Sequence, residues 1–249
     1  MSMSVHLYGI VSDNTSLPDE VRGRQAAAPR LVGRDGLAAI VSDVDTEARI
    51  GREDLLAHAH VLEAVVEDST VLPMRFGVVL DSDDDVAEQV LQAGEERLLS
   101  LLAEFDGLQQ LTVKAVHEED EVLRTVLAEN AEVRAYRDSM AARGETYQGK
   151  LELGRLVAAG IEVIEQMDAA YLVDELAPLA RDIKIEDSSK RRDVLDAALL
   201  VSRDDRSRVD AAIAKLGSQL PPRLRLRYVG PQPPYAFVDA VLAGEQVWA

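Results

Sequence analysis

The sequence contains no cysteine, and aromatic residues make up only 4% of it. The absence of cysteine excludes disulfides, thiol catalysis and cysteine-ligated metals, and it fits a reducing compartment. With so few aromatic side chains, the core must be filled by Leu, Val, Ile and Ala. Hydrophobic residues reach 47%, so the 249 residues can bury a sizeable core in one large or two small domains.

Long apolar runs are also missing. No segment approaches the roughly 18–20 apolar residues that span a bilayer, so we expect no membrane partner. The amino-terminal MSMSVHLYGIV lacks the basic region and the apolar run of a secretory signal, which favours a cytoplasmic protein. The net charge of −18 argues against nucleic acid as a partner.

Hydrophobic periodicity divides the first 118 residues into strands and helices. The pattern predicts strands over 5–11, 36–44, 69–80 and 108–117, and helices over 53–67 and 83–105. This order lacks only one helix of a ferredoxin-like sandwich. We therefore predict a modified ferredoxin-like α+β domain over 1–118, with a loop rich in Pro and Gly in place of the missing helix.

The remainder alternates long helical patterns with short strand patterns. Helices are expected over 119–140, 146–171 and 204–216, and strands over 182–186, 194–202 and 223–229. The predicted fold is thus a two-domain α+β protein. Its second domain, 119–249, combines long helices with a split sheet.

Two groups of residues suggest a metal site at first sight. Asp81 and Asp83–Asp85 precede a helix, but an EF-hand would need a Gly and a closing Glu, so helix capping is the favoured interpretation. His58 and His60 lie two positions apart on a helix, about 200° from one another, and cannot bind one ion. His6 lies on a separate strand. We predict no metal and no cofactor.

Catalytic motifs are absent from the sequence. It contains no P-loop, no dinucleotide-binding glycine motif and no nucleophile elbow, and single carboxylate pairs signal little in a chain with 45 acidic residues. We predict no catalytic residues and therefore no enzyme. The alternative is a ferredoxin-like domain that binds a small molecule or acts on an unknown substrate, since a fold does not determine a function.

Arg223, Arg225 and Arg227 alternate with apolar residues and would share one face of a strand. Pairing with Asp182 and Glu186 on a neighbouring strand is the favoured interpretation. The alternative is a basic stripe that binds an acidic partner.

Two segments carry a family resemblance: TVLPMRFGVV over 70–79 and YVGPQPPYAFV over 228–238. They resemble the T-V-L-P-x-R-F-G and G-P-W-P-P-Y-x-F signatures of the gas vesicle protein L/F family, with Gln232 where that family often has Trp. The resemblance implies two α+β domains, no catalysis and no cofactor. It also implies a cytoplasmic, gas vesicle-associated role, as an accessory or minor structural protein of vesicle assembly.

The same resemblance implies the partners: the small hydrophobic shell protein and other gas vesicle accessory proteins. An apolar subunit needs a partner that masks its surface until assembly, because large apolar patches associate indiscriminately. The leading hypothesis is therefore a carrier that binds the shell subunit. A purely structural component of the mature vesicle is the other possibility within the family.

The residues of the two signatures are the candidates for partner contact or for a structural role. In the first signature a structural role is favoured, with a proline at a strand start or edge. In the second, three prolines lack amide donors, so we expect a stiff segment that cannot extend a sheet ladder. It would dock either on a partner or across its own domain. The candidates are Pro73, Met74, Arg75, Phe76, Gly77, Gly230, Pro231, Pro233, Pro234, Tyr235 and Phe237.

Overall fold

The computed structural model describes residues 3–186 and 193–242. Within these ranges the strands β1 to β9 run over Met3–Ser12, Arg30–Arg34, Leu37–Asp45, Leu72–Pro73, Val79–Leu80, Leu108–His117, Asp182–Ile185, Asp193–Ser202 and Leu224–Gln232. The helices α1 to α8 run over Arg52–Val66, Asp83–Asp85, Glu95–Glu104, Glu119–Glu129, Ala131–Arg143, Tyr147–Leu176, Arg206–Gln219 and Tyr235–Leu242. A π-helical segment, Val86–Gln92, joins α2 to α3.

The chain forms two compact units. The first contains residues 1–111, 200–204 and 229–249, and the second contains 112–199 and 205–228. The division into domains 1–118 and 119–249 stays a prediction, since the compact units follow spatial contacts rather than a single cut in the sequence.

The first sheet has the strand order β2-β3-β1-β4, and β5 also pairs with β1. β1 and β3 run antiparallel from Met3 opposite Asp45 to Ser12 opposite Leu37, with one irregularity between Leu7 and Gly9. Seven consecutive residues of β1, 5–11, are buried, a pattern typical of a strand covered on both faces. The helix α1 contacts β1, and α3 contacts both β1 and β3.

The single strand predicted over 69–80 is wrong. The segment forms two short strands, β4 and β5, which pair with β1 on either side of a turn. Pro73 has no N–H to donate, and Gly77 has a φ of +102°, where the chain leaves the extended conformation. Both ends remain tied to β1, because the Met74 amide donates to Tyr8 O (2.9 Å) and the Leu7 amide donates to Val78 O (3.0 Å).

The α+β class with two antiparallel sheets is confirmed. The ferredoxin-like arrangement of the first domain is not, because β6, its expected last strand, belongs to the second sheet. That sheet has the order β7-β8-β6-β9. Along the chain, α4, α5 and α6 lie between β6 and β7, and α7 lies between β8 and β9.

Helices dominate the second unit. The helix expected over 119–140 is divided at Asn130, whose side-chain oxygen accepts hydrogen bonds from the amides of Glu132 (3.0 Å) and Val133 (3.1 Å) and so caps α5. α4 and α5 pack on α6 around Val126, Val133 and Leu156. Within the described ranges, no helix combines the length and the apolar character needed to cross a membrane.

Candidate functional site

A pair of buried imidazoles lies at the centre of the first unit. His6, on β1, is fully buried, and His58, on α1, is 3% exposed. His6 Nε2 lies 2.9 Å from His58 Nδ1. The sequence analysis placed these residues on separate elements and did not predict their contact.

The partners of the imidazoles define a directed chain of hydrogen bonds. The Arg24 guanidinium can only donate, and its Nη1 lies 3.4 Å from His6 Nδ1, which therefore accepts. The neutral His6 ring therefore carries its hydrogen on Nε2, which donates a hydrogen bond to His58 Nδ1. His58 donates from Nε2 to the carbonyl oxygen of Met74, 3.1 Å away. All four ring nitrogens have a partner.

The hydroxyl of Tyr8 connects this network to the loop that contains Gly23 and Arg24. The Arg24 amide donates to the hydroxyl of Tyr8 (2.7 Å), and that hydroxyl lies 2.7 Å from Ser42 Oγ. The loop approaches so closely that a Cβ on Gly23 would lie 2.0 Å from the Tyr8 oxygen. The sequence therefore needs glycine at this position.

The Arg24 side chain connects the loop to α1 and to the first signature. It is only 3% exposed, and its Nε lies 3.3 Å from Asp54 Oδ1. Its guanidinium carbon lies 5.3 Å from the centroid of the Phe76 ring, a cation–π contact. The Phe76 ring also contacts the rings of His6 and His58. We call Arg24, His6, His58, Tyr8 and Phe76 the imidazole cluster.

Burial controls the protonation of this cluster. The pKa of His6 is lowered to about 3, first by burial and then by charge repulsion from His58 and Arg24. Burial also lowers the pKa of His58 and raises that of the Tyr8 hydroxyl. The pKa of Asp54 is lowered, first by the hydrogen bond from the Gly51 amide and then by Arg24.

The cluster is arranged for packing. With both imidazoles neutral and every ring nitrogen engaged, none is positioned to accept a proton from a substrate. Across the described residues, no group of three or more His, Asp or Glu side chains could hold a metal ion. The acidic residues of α2 have structural partners: the Ser82 hydroxyl accepts from the Asp85 amide (3.1 Å), and Arg30 pairs with Asp83 (2.6 Å).

Residues of the first signature either belong to the imidazole cluster or lie beside it. Pro73 lies opposite Gly9 in the sheet, and Met74 is 8% exposed and supplies the carbonyl that His58 binds. Phe76 packs on Arg24, while Arg75 and Gly77 are exposed.

The second signature lies across the first unit. The expectation that it cannot extend a sheet is wrong for its first part, because β9 continues to Gln232. A Cβ on Gly230 would meet Leu111 at 2.7 Å and the Gln110 carbonyl at 3.1 Å, so the backbone approaches β6 closely. The Ala236 amide donates to the Gln110 side chain (2.9 Å). The segment thus contacts its own chain, and docking on a partner stays a prediction.

The other candidates in this signature follow the same pattern. Pro231, Pro233 and Pro234 are buried, and Phe237 is 3% exposed. Tyr235 packs against the cluster of apolar residues that α1 and β1 form. These residues hold the carboxy-terminal segment in place.

The second unit contains a separate buried ion pair. Asp168, on α6 and 4% exposed, accepts two bonds from Arg223 (2.6 and 2.8 Å) and lies 3.0 Å from His117 Nε2. Burial acts to raise the pKa of Asp168, but the bonds from Arg223 and His117 outweigh it, and the pKa is lowered. The predicted partners of the arginine face, Asp182 and Glu186, are wrong because β9 lies beside β6 and not beside β7.

Helix α6 also exposes large apolar side chains. Val163, Met167 and Tyr171 are 55%, 67% and 42% exposed, and Tyr147 and Leu151 are exposed nearer its start. Side chains of this size on a helix surface are typical of protein contacts. These positions lie in the helix predicted over 146–171, but their exposure was not predicted from the sequence.

Known proteins are similar in sequence to this chain over nearly its whole length. Residues 4–239 match the family described as "Gas vesicle synthesis protein GvpL/GvpF". Gas vesicle protein F of a Streptomyces species is 39% identical, over 95% of this chain and 100% of the relative. Gas vesicle protein F2 of Halobacterium salinarum is 32% identical, over 97% of this chain and 95% of the relative.

Solved structures agree with the observed fold. The crystal structure of GvpF from Anabaena sp. PCC7120 has a TM-score of 0.79 at 24% identity and covers 95% of this chain and 98% of that one. GvpF from Microcystis aeruginosa gives 0.74 at 25% identity, over 94% and 98% of the two chains. The two signatures, the extent of these matches and the shared fold place this chain in the GvpL/GvpF family of gas vesicle synthesis proteins.

Proposed function

We propose that this chain binds the small hydrophobic shell protein of the gas vesicle and holds it, without catalysis, until the subunit is incorporated. Membership of the GvpL/GvpF family supports a role in vesicle assembly. The observation that carries the proposal of shell binding is the set of exposed apolar side chains on α6. Its members are Tyr147, Leu151, Val163, Met167 and Tyr171.

The exposed apolar area of α6 and the negative charge of the chain both suit a carrier. Covering apolar surface contributes about 25 cal/mol per Å², so exposed side chains on a rigid helix offer a binding surface for another apolar chain. A net charge of −18 keeps a carrier and its cargo from associating further. A chain with these two properties suits the temporary binding of an aggregation-prone subunit.

The two signatures have a supporting role in this proposal. Most of their candidate residues are buried in the first unit, and Arg75 and Gly77 are the exposed ones in the first signature. We infer that the signatures act through the fold that they stabilise, and that contacts with other accessory proteins in the cytoplasm use exposed positions.

Co-expression tests the proposal. We expect the tagged chain to recover the shell protein in a complex, and a strain lacking the chain to form fewer or misshapen vesicles. Recovery of the tagged chain without any shell protein, together with normal vesicles in the deletion strain, would contradict the proposal. A tagged unrelated acidic protein serves as the control for non-specific recovery.

A further inference from the structure

Resting on the function proposed above, we infer the docking surface and the kind of segment that occupies it. The surface is the row Val163, Met167 and Tyr171 on α6, which we call the α6 row. The occupant is an amphipathic α-helix of the shell subunit that carries Lys or Arg beside its apolar face.

The α6 row lies on the same face of α6 that packs against α4 and α5. At about 100° per residue, Leu156, Gly160 and the three members of the row fall within an arc of about 80°. Leu156 packs in the core between α6 and the helices α4 and α5. Gly160 lies against α4, since a Cβ there would meet Val126 Cγ1 at 2.8 Å.

Beyond Gly160, no described residue covers this face of α6 as α4 covers Gly160. The exposed fraction of the side chains therefore rises to 55% at Val163 and 67% at Met167. Side chains spaced four residues apart are the ones that a helix presents to a second helix. The α6 row therefore has the geometry of a helix–helix contact whose second helix comes from another chain.

A hollow at the end of α4 adds shape to the surface. It has a volume of about 200 Å³, and its lining includes Val126, Gly160, Val163, Ile164 and Met167. An apolar side chain of a docking helix can enter it, as in helix-in-groove recognition. Methionine adapts to irregular partners, and tyrosine is enriched at protein interfaces.

Charge decides which helix fits. Residues 156–176 of α6 contain five acidic residues and no Lys or Arg. One of the five, Asp168, is neutralised by Arg223.

At about 100° per residue, Asp174 falls within the arc of the α6 row and Glu175 beside it. Glu162 and Glu165, by contrast, lie on the opposite side of the helix. Glu129 of α4 lines the hollow. Asp174, Glu175 and Glu129 form the acidic margin of the row.

Such a margin favours a partner with basic residues beside its apolar face. It also disfavours a second copy of this chain, because two copies meeting through α6 would bring like charges together. The charge pattern therefore selects a basic amphipathic helix over self-association.

The test measures binding of the shell subunit, presented as a soluble fusion to a carrier protein, to the full-length chain. We expect the double variant Val163→Ser/Met167→Ser to weaken binding about tenfold or more, which is the loss of a central apolar contact. Leu56→Ser is the matched control, since Leu56 is as exposed as Val163, at 55%, but lies on α1 and outside the proposed binding surface. Its affinity should stay within about twofold of the unmodified chain, and melting temperatures verify that all variants fold.

A second pair of measurements tests the charge. We expect Asp174→Asn/Glu175→Gln to weaken binding at low salt, with the difference disappearing at high salt, whereas Glu162→Gln/Glu165→Gln, on the opposite side of the helix, serves as the control. Absence of this salt-dependent difference would overturn the basic character of the occupant.

The outcomes separate this inference from the proposed function. Equal affinity of Val163→Ser/Met167→Ser and the unmodified chain, with clear binding of both, would overturn the α6 row and leave the proposed function standing. Failure of the unmodified chain to bind the fusion would overturn the proposed function itself. Dimers of the chain alone that Val163→Ser/Met167→Ser abolishes would assign the row to a second copy instead.

Discussion

Arg24 is a charged side chain that is almost fully buried, and it has a suitable partner in each direction. Asp54 balances its charge, the Phe76 ring lies against its guanidinium, and His6 Nδ1 accepts a hydrogen bond from it. A buried charge is tolerated only with such partners. Through these contacts one side chain connects the loop, α1 and the first signature.

The imidazole cluster predicts a pH dependence of stability. The folded-state pKa of His6, about 3, lies below the ordinary value of 6.5, and that of His58 is lowered too. The unfolded chain therefore binds more protons, and the free energy of unfolding falls as the pH drops from about 6.5 towards 3. Urea unfolding between pH 7.5 and 5.5 measures this slope with little contribution from carboxylates.

Two variants identify the source of that slope. We expect a shallower slope in His6→Gln, because the amide can replace both hydrogen bonds but cannot titrate. His60→Gln, at an exposed position on the same helix as His58, should keep the original slope. An unchanged slope in His6→Gln would show that the buried imidazoles are not responsible.

The close approach at Gly23 predicts a steric effect. Gly23→Ala should lower the free energy of unfolding by about 2 kcal/mol, because the new Cβ would collide with the Tyr8 hydroxyl. Gly33→Ala, where the nearest atom lies at 3.8 Å, should change it little. Adding Tyr8→Phe should make the double variant less unstable than the two single effects summed. Chemical denaturation compares the unmodified chain with Gly23→Ala, Gly33→Ala, Tyr8→Phe and the double variant.

The residue-scale site could not be predicted from the sequence. His6 and His58 are 52 residues apart, and spacing along one helix, the only relation that the sequence offers, correctly separates His58 from His60 but gives no sign of His6. The burial of Met74 and the pairing at Pro73 agree with the structural role favoured for the first signature.

At the scale of elements, α6 connects the features of the second unit. It packs on α4 and α5, carries the buried Asp168 and exposes the α6 row. Its 30 residues correspond to about 45 Å at 1.5 Å per residue. One helix thus supplies both the internal contacts and the surface that we propose for partner binding.

Two glycines on α6 predict opposite effects of the same substitution. Gly160→Ala should destabilise the protein by about 1–2 kcal/mol, since its Cβ would lie 2.8 Å from Val126. Gly154→Ala, where no atom lies within 4 Å, should stabilise it by up to about 1 kcal/mol through helix propensity. Thermal unfolding compares the two, and equal shifts would contradict the close packing of α4 on α6.

Removing the charge of Asp168 should destabilise the second unit. Asp168→Asn leaves Arg223 and His117 without their shared carboxylate, and we expect a loss of about 3 kcal/mol in the free energy of unfolding. Asp174→Asn, on the exposed side of the same helix, should change it by less than about 0.5 kcal/mol. Urea unfolding at pH 7 measures both. A small loss in Asp168→Asn would mean that the ion pair contributes little.

The elements themselves were more predictable than the site. The strand predicted over 108–117 has the observed bounds of β6, and its apolar residues alternate from Leu111 to Ala115. The strand predicted over 69–80 failed because a proline and a glycine outweigh its apolar composition. The helix predicted over 119–140 failed because periodicity continues through Asn130, although that side chain caps a new helix.

For the whole molecule, the sequence patterns indicated the α+β class, and the two signatures indicated the family. Strand pairing was beyond them: β6 joins the second sheet, and this depends on contacts between distant segments. The acidic surface with exposed apolar side chains is likewise a property of the folded chain. The acidic surface and the exposed apolar side chains support the proposal that the protein acts through its surface.

Sedimentation of the chain co-expressed with the shell protein tests the central claim most directly. We predict a discrete soluble species that contains both proteins at a fixed ratio, because the carrier covers the apolar surface of the subunit. Sedimentation of the chain by itself, with all of the shell protein in the aggregated fraction, would contradict the account.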